Sequence, residues 1–333
     1  MKIQFLIYAI VLLPLVSCKK DNDMISPIYN KWTYVSGGLD LEEDFQHLKY
    51  IIIQADNTVS LLYEYDHGIR GCNEDLCQVT NGQIYLFGYY LFNFTVDGNT
   101  MILQNPDEEI IFERNGNEPS KQEWIQPVEI TESYNAPIES GTDLAFDGEF
   151  LWYGNGANYD DPAYLYKIDP ASLSVIEQLP TSNWAIGIEW ADGYLWTSSN
   201  GHSSIYKVNP VTGSNLLTSV NMGGWINGIA FDGQYLWVGD SYHKIYKYNP
   251  GINTVEEEIP IEFFPDGMAY VQNYLYICVG GIINKCTTDP FQFVAAYDIE
   301  RGYICGIAHD GNDFYISAYL NNETPCKICK ISL

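Results

Sequence analysis

Four aromatic residues recur at one position of a repeating pattern. Trp184, Trp225, Phe264 and Tyr303 each stand three positions ahead of a glycine, at Gly187, Gly228, Gly267 and Gly306. Rings placed this way and left in solvent would stack on sugars, amide groups or cations. The alternative is that they wedge between neighbouring elements. Polar groups accompany them: His202, Asp240 and His243, and the run Asn155, Asn158, Tyr159, Asp160 and Asp161. Asp160 and Asp161 could join a calcium site, although the periodic ligands of an EF-hand loop do not appear; otherwise no metal and no cofactor is expected. Glu189 stands alone among Ala145, Ala230, Ala269 and Ala308, its counterparts in the other repeats. Burial there would raise its pKa and suit it to proton transfer, which makes it the one catalytic candidate.

The elements that must position these residues come from an internal repeat. Asp143–Tyr153, Gly187–Thr197, Gly228–Val238, Gly267–Ile277 and Gly306–Ile316 vary one phrase, of which Gly228-Ile-Ala-Phe-Asp-Gly-Gln-Tyr-Leu-Trp-Val238 is the fullest copy. A period of about 40 residues is that of a four-stranded propeller blade. Each unit then reads as inner strand, Asp-Gly turn, aromatic second strand, a third strand such as Ile245-Tyr-Lys-Tyr-Asn-Pro250, and a polar outer strand such as Thr254–Ile259. Trp152, Trp196, Trp237, Tyr276 and Tyr315 share one position and are expected to pack between blades. The fifth unit ends at Leu333 with its third strand, and Pro127–Thr131 is expected to supply the fourth, closing a five-bladed ring over residues 126–333.

Residues 28–115 alternate short apolar runs with turn signals, among them Asp97-Gly98, with no competing helical period. A small antiparallel barrel is the expected result, joined to the propeller by a linker over 116–125. The fold class is therefore all-β, a small barrel followed by a five-bladed β-propeller. Ahead of it, Met1 and Lys2 precede an apolar stretch to Val16, then Ser17 and Cys18, which reads as a signal peptide over 1–17 with a polar tether over 18–27.

A formal charge of -27, from 16 Lys and Arg against 43 Asp and Glu, repels phosphate backbones, so nucleic acid is not an expected partner. Beyond Cys18, seven cysteines remain, an odd number. Cys72 with Cys77, around a short polar loop, and Cys278 with Cys286, across an expected hairpin, are the disulfide candidates. Cys326 and Cys329 have redox or zinc spacing, but on a strand residues three apart face opposite ways, so they are read as structural.

Several of these stretches resemble known families. Leu15-Val16-Ser17-Cys18 resembles the bacterial lipobox, which implies acylation of Cys18, including palmitate-type chains, and a membrane partner through that anchor. The charged, acid-containing tether Cys18–Asp23 resembles that of Bacteroidota surface lipoproteins, implying an outer-membrane location, surface-exposed or periplasm-facing. Trp32, Asp56-Asn57-Thr58 and Phe112-Glu113-Arg114 resemble the small lipocalin-like domains of such lipoproteins. The phrase over 126–333 is similar to glutamine cyclotransferase-like and NHL-like propellers; the acidic phrase of the cyclases is replaced by Gly187-Ile188-Glu189 and Gly228-Ile229-Ala230, so no catalytic residues carry over. Three functions are consistent with these residues. The first is a noncatalytic module binding a glycan, peptide or protein partner at the propeller mouth. The second is a glutaminyl cyclase-like or lactonase-like enzyme using Glu189, and the third a structural component of an envelope complex.

Overall fold

The computed structural model describes residues 31–37, 47–54, 57–73, 77–80, 83–86, 90–106, 109–114, 116, 120–155, 163–199, 201–300, 302–321 and 323–333. The signal peptide, Cys18, the tether, and Asn158, Tyr159, Asp160 and Asp161 lie outside the described residues, so the anchor and the calcium expectation are not addressed there. The architecture is all-β. A nine-stranded antiparallel sheet curls into a half-barrel, and five further sheets form a propeller.

In the half-barrel the spatial order is Arg70–Asn73, Val59–Glu64, Leu48–Ile53, Lys31–Gly37, Glu109–Glu113, Thr100–Gln104, Tyr90–Asp97, Gln83–Leu86 and Gln78–Thr80. First and last strands in sequence are thus central neighbours, and Tyr34 meets Phe112 edge-on with ring centres 5.9 Å apart. The spatially last strand, Gln78–Thr80, reaches round to the residues ahead of Val59–Glu64, where Thr58 bridges Gln78. Alternation with a period of two sends Met101, Leu103, Ile110 and Phe112 inward around the fully buried Trp32. The Arg114 guanidinium lies 5.0 Å from the Trp32 ring centre. Residues of the opening and closing motifs therefore meet in one cluster.

Each blade is an antiparallel four-stranded sheet. The inner strands are Leu144–Phe146, Ile188–Ala191, Ile226–Phe231, Met268–Val271 and Gly302–His309, and each packs on the next, the fifth on the first, so the ring is closed. The repeated phrase builds blades one, three and five by the same turn contacts. In blade one Asp147 accepts from the Glu149 and Phe150 amides at the turn, and its other oxygen accepts from the Trp152 indole at 2.8 Å. Asp232 does the same for Trp237 at 2.9 Å, and Asp310 for the Tyr315 hydroxyl at 3.1 Å. The lysine of the third strand stands opposite the second-strand aromatic in all five blades, so Lys167, Lys207, Lys247, Lys285 and Lys330 lie over Trp152, Trp196, Trp237, Tyr276 and Tyr315. Such contacts contribute roughly 0.5–1 kcal/mol each at partly exposed sites.

Ring closure uses the chain end in an unexpected way. Glu129–Asn135 pairs antiparallel with Lys327–Ser332 and completes blade five. Gln126 and Pro127 instead add in parallel to the outer strand of blade four, Phe291–Asp298. Expected as the start of the clasp, Pro127 belongs to the neighbouring blade. It has no N–H to offer a ladder, and Val128 donates to Asp298 at 2.8 Å as the chain crosses from one blade to the next.

Within the segment 116–125, Ser120 and Glu123 form a reciprocal capping box for the short helix Lys121–Trp124. Trp124 and Ile125 are buried in a cluster that joins Ile52 and Leu62 of the half-barrel to Ile282 and Ala296 of blade four. Arg70 lies between the Trp124 and Phe293 rings, 4.2 and 4.5 Å from their centres, and donates to the Trp124 carbonyl. Asn284 and the Arg70 backbone exchange two hydrogen bonds, at 2.9 and 3.1 Å. The half-barrel is thereby docked on the propeller by a shared apolar core.

Candidate ligand-binding cleft

That docking creates a cleft of about 800 Å³ where the half-barrel overhangs the propeller mouth. From the half-barrel come His47 and Tyr65; from the propeller come Asn227, His243 and the loop between blades three and four, which carries Glu262, Phe263, Phe264 and Asp266. Tyr303 and Gly280 complete the wall.

The loop is held from both sides. Asp66 and Glu262 exchange hydrogen bonds, each backbone amide donating to the other's carboxylate at 3.1 and 3.0 Å. His47 stands 3.6 Å from the Glu262 carboxylate, and Tyr65 packs 6.1 Å from Phe263 between ring centres. At the floor, the Tyr303 hydroxyl donates to one oxygen of Asp266, while Gly280 donates to the other at 3.0 Å. Burial pushes Asp266 up to about 6 despite these bonds, and the Tyr303 phenol rises through burial and the adjacent Asp266 charge. Phe264 is 51% exposed and meets His243 edge-on with ring centres 4.6 Å apart.

The sequence candidates divide between two places. Phe264, Tyr303 and His243 are brought together in the cleft. Trp184 and His202 instead line a separate hollow of about 370 Å³ with Thr181, Ser182, Asn183 and Ser199. Trp225, 53% exposed, lies in neither lining; its backbone is fastened to Ser241. The expected continuous aromatic ring is thus divided: the half-barrel docks at blades three and four, on the side of Phe264, and among the described residues contributes nothing to the hollow at Trp184. Phe264, Tyr303 and Trp225 do not wedge between blades.

Glu189 sits apart from both hollows. Its carboxylate accepts from the Trp190 amide at 2.6 Å and from Phe231, on the next blade, at 3.1 Å. Enclosed by protein, it is pushed up to about 8 by burial, yet it lines neither hollow. Asp143 does similar work nearer the axis. Fully buried, it accepts from Leu144 at 3.0 Å, Ile307 at 3.0 Å and Ile188 at 3.4 Å, tying blades five, one and two. A Cβ on Gly306 would collide with the Asp143 backbone, so the missing side chain there is what admits the aspartate. Burial raises its pKa strongly, and Glu189 adds to the rise.

The cysteine expectations are corrected in part. Leu275 stands opposite Cys286, and Cys278 opposite Ile283. Cys278 and Cys286 therefore face opposite sides of blade four and do not pair; one packs toward blade five, the other toward blade three. Cys72 packs at the docking cluster and Cys77 in the half-barrel core. Cys326 and Cys329 face different clusters, as strand geometry requires. Among the described residues no three His, Cys, Asp or Glu side chains converge as metal ligands.

No family profile and no curated protein matches the sequence. Solved structures do. The propeller is similar in fold to the glutaminyl cyclase of Myxococcus xanthus. The TM-score is 0.52 at 11% identity, covering 62% of this chain and 95% of that one. The likeness establishes the propeller, and at that identity it carries no residue roles.

Sequence reasoning missed His47, Tyr65, Glu262 and Asp266. Glu262 and Asp266 flank Phe264 and were within reach of the repeat comparison. His47 and Tyr65 carried no signal, since their role depends on where the half-barrel docks. Asp143 had a signal: it stands where the other four copies of the phrase have glycine.

Proposed function

We propose that the protein is a noncatalytic binding module of the bacterial cell envelope, anchored through lipidated Cys18, that takes a peptide or glycan segment into the cleft between half-barrel and propeller. The observation that carries this reading is the cleft's make-up. Aromatic faces from Tyr65, Phe264 and Tyr303 stand beside the carboxylates of Glu262 and Asp266, and among the described residues no lysine or arginine lines it. Such a surface favours neutral or cationic groups and repels anions. About 800 Å³ lies in the range of small-ligand pockets and is large enough for a few residues or sugar units.

Turnover by Glu189 is the competing reading. Its carboxylate is occupied by two backbone donors from adjacent blades and stands apart from the cleft, which supports a role in joining inner strands. Peptide and glycan arrays probed with the purified protein test the proposal. Phe264→Ala and Tyr303→Ala should each weaken capture at least tenfold, with Trp184→Ala unchanged. Loss with Trp184→Ala alone would move the site to the smaller hollow.

A further inference from the structure

We propose that Cys305 and Cys326 form an intramolecular disulfide when the protein folds in an oxidising compartment. Cys305 is the extra residue of a β-bulge in the inner strand of blade five, between Ile304, opposite Ala318, and Gly306, opposite Ser317. A bulge re-aims the side chain it carries. Cys326 immediately precedes the third strand, Lys327–Ser332, so the middle strand of the blade runs between the two residues. The Cys305 and Cys326 thiols are close enough to interact directly. A Cβ on Gly141 would collide with the Cys305 sulfur and stand 3.1 Å from that of Cys326, so both sulfurs meet under one glycine. The neighbouring cysteines are directed elsewhere: Cys329 faces the cluster shared with Cys278, and Cys286 the far side of blade four.

The bond would have a defined mechanical role. Cys305 lies two residues from Tyr303, which forms the cleft floor with Asp266. The Cys326 backbone accepts from Ala136 at 2.9 Å and donates to Glu139 at 3.2 Å, in the segment that leads from the clasp into blade one. A link between them ties the cleft wall to the ring closure. The chemistry is thiol–disulfide exchange with a disulfide of the glutathione class. One of the two sulfurs, as its thiolate, attacks that disulfide and releases one thiol, leaving a mixed disulfide. The other cysteine sulfur then forms the new S–S bond, and the second thiol departs with its proton. Two protein thiols are oxidised and one disulfide is reduced to two thiols.

Peptide mapping of the full chain, folded with oxidised glutathione and alkylated in denaturant without reductant, tests this. Cleavage after Arg301 and Lys327 releases one peptide that contains both residues. It should be lighter than the reduced peptide by two hydrogens and carry no alkyl group. Further cleavage after Asp310, Asp313 or Glu323 should leave fragments that separate only on reduction. In Cys305→Ser, Cys326 should become alkylated without reductant. Two alkyl groups on the unreduced wild-type peptide, or a link from Cys305 to Cys278 or from Cys326 to Cys329, would overturn the assignment. The mapping reads the wild-type chain, so it does not depend on any variant folding.

Discussion

Two half-buried carboxyls report on different things. Glu189 has its folded pKa raised from the ordinary carboxylate range to about 8 by burial, so between those values the folded chain holds a proton that the unfolded chain has released. Its contribution to stability is complete below the unfolded pKa and is lost as pH rises toward 8, by at most about 1.4 kcal/mol per pH unit. Glu189→Gln should flatten that fall, as read from urea denaturation midpoints across the interval. Asp266, raised to about 6, faces the cleft, where a cationic group would need it ionised. Affinity for a cationic ligand should therefore weaken as pH falls through 6, and Asp266→Asn should remove that dependence in calorimetric titrations.

The strands and turns show why so much of the propeller was legible. An Asp-Gly turn, an aromatic two residues into the next strand's core and a lysine on the third strand recur because the turn aspartate bonds the aromatic's polar edge and the lysine covers its face. Asp232→Ala would leave the buried Trp237 indole without its acceptor and should cost about 1–3 kcal/mol in chemical denaturation. The clasp was legible as a missing strand, but its register was not. Sequence alone does not show that Pro127, lacking an amide hydrogen, would finish blade four while pairing to blade five begins at Glu129. Cys278 and Cys286 fit a hairpin pair by spacing, and only the register reveals that they face opposite ways.

For the whole molecule, the half-barrel is part of the site. Trp124 and Arg70, which gave no functional signal in the sequence, bury the docking surface and fix His47 and Tyr65 over the mouth. Contacts between distant parts of a chain leave no local pattern, which is why the cleft was read as a propeller rim alone. Trp124→Ala should cost about 3–5 kcal/mol and split a single calorimetric unfolding transition into two. Protection from amide hydrogen exchange, measured on the full chain with a ligand captured from the arrays, probes the shared cleft most directly. A shared cleft predicts slowed exchange both at residues 47–69 of the half-barrel and at residues 262–280 and 302–306 of the propeller. Slowing confined to the propeller, or centred on Trp184 and His202, would contradict it.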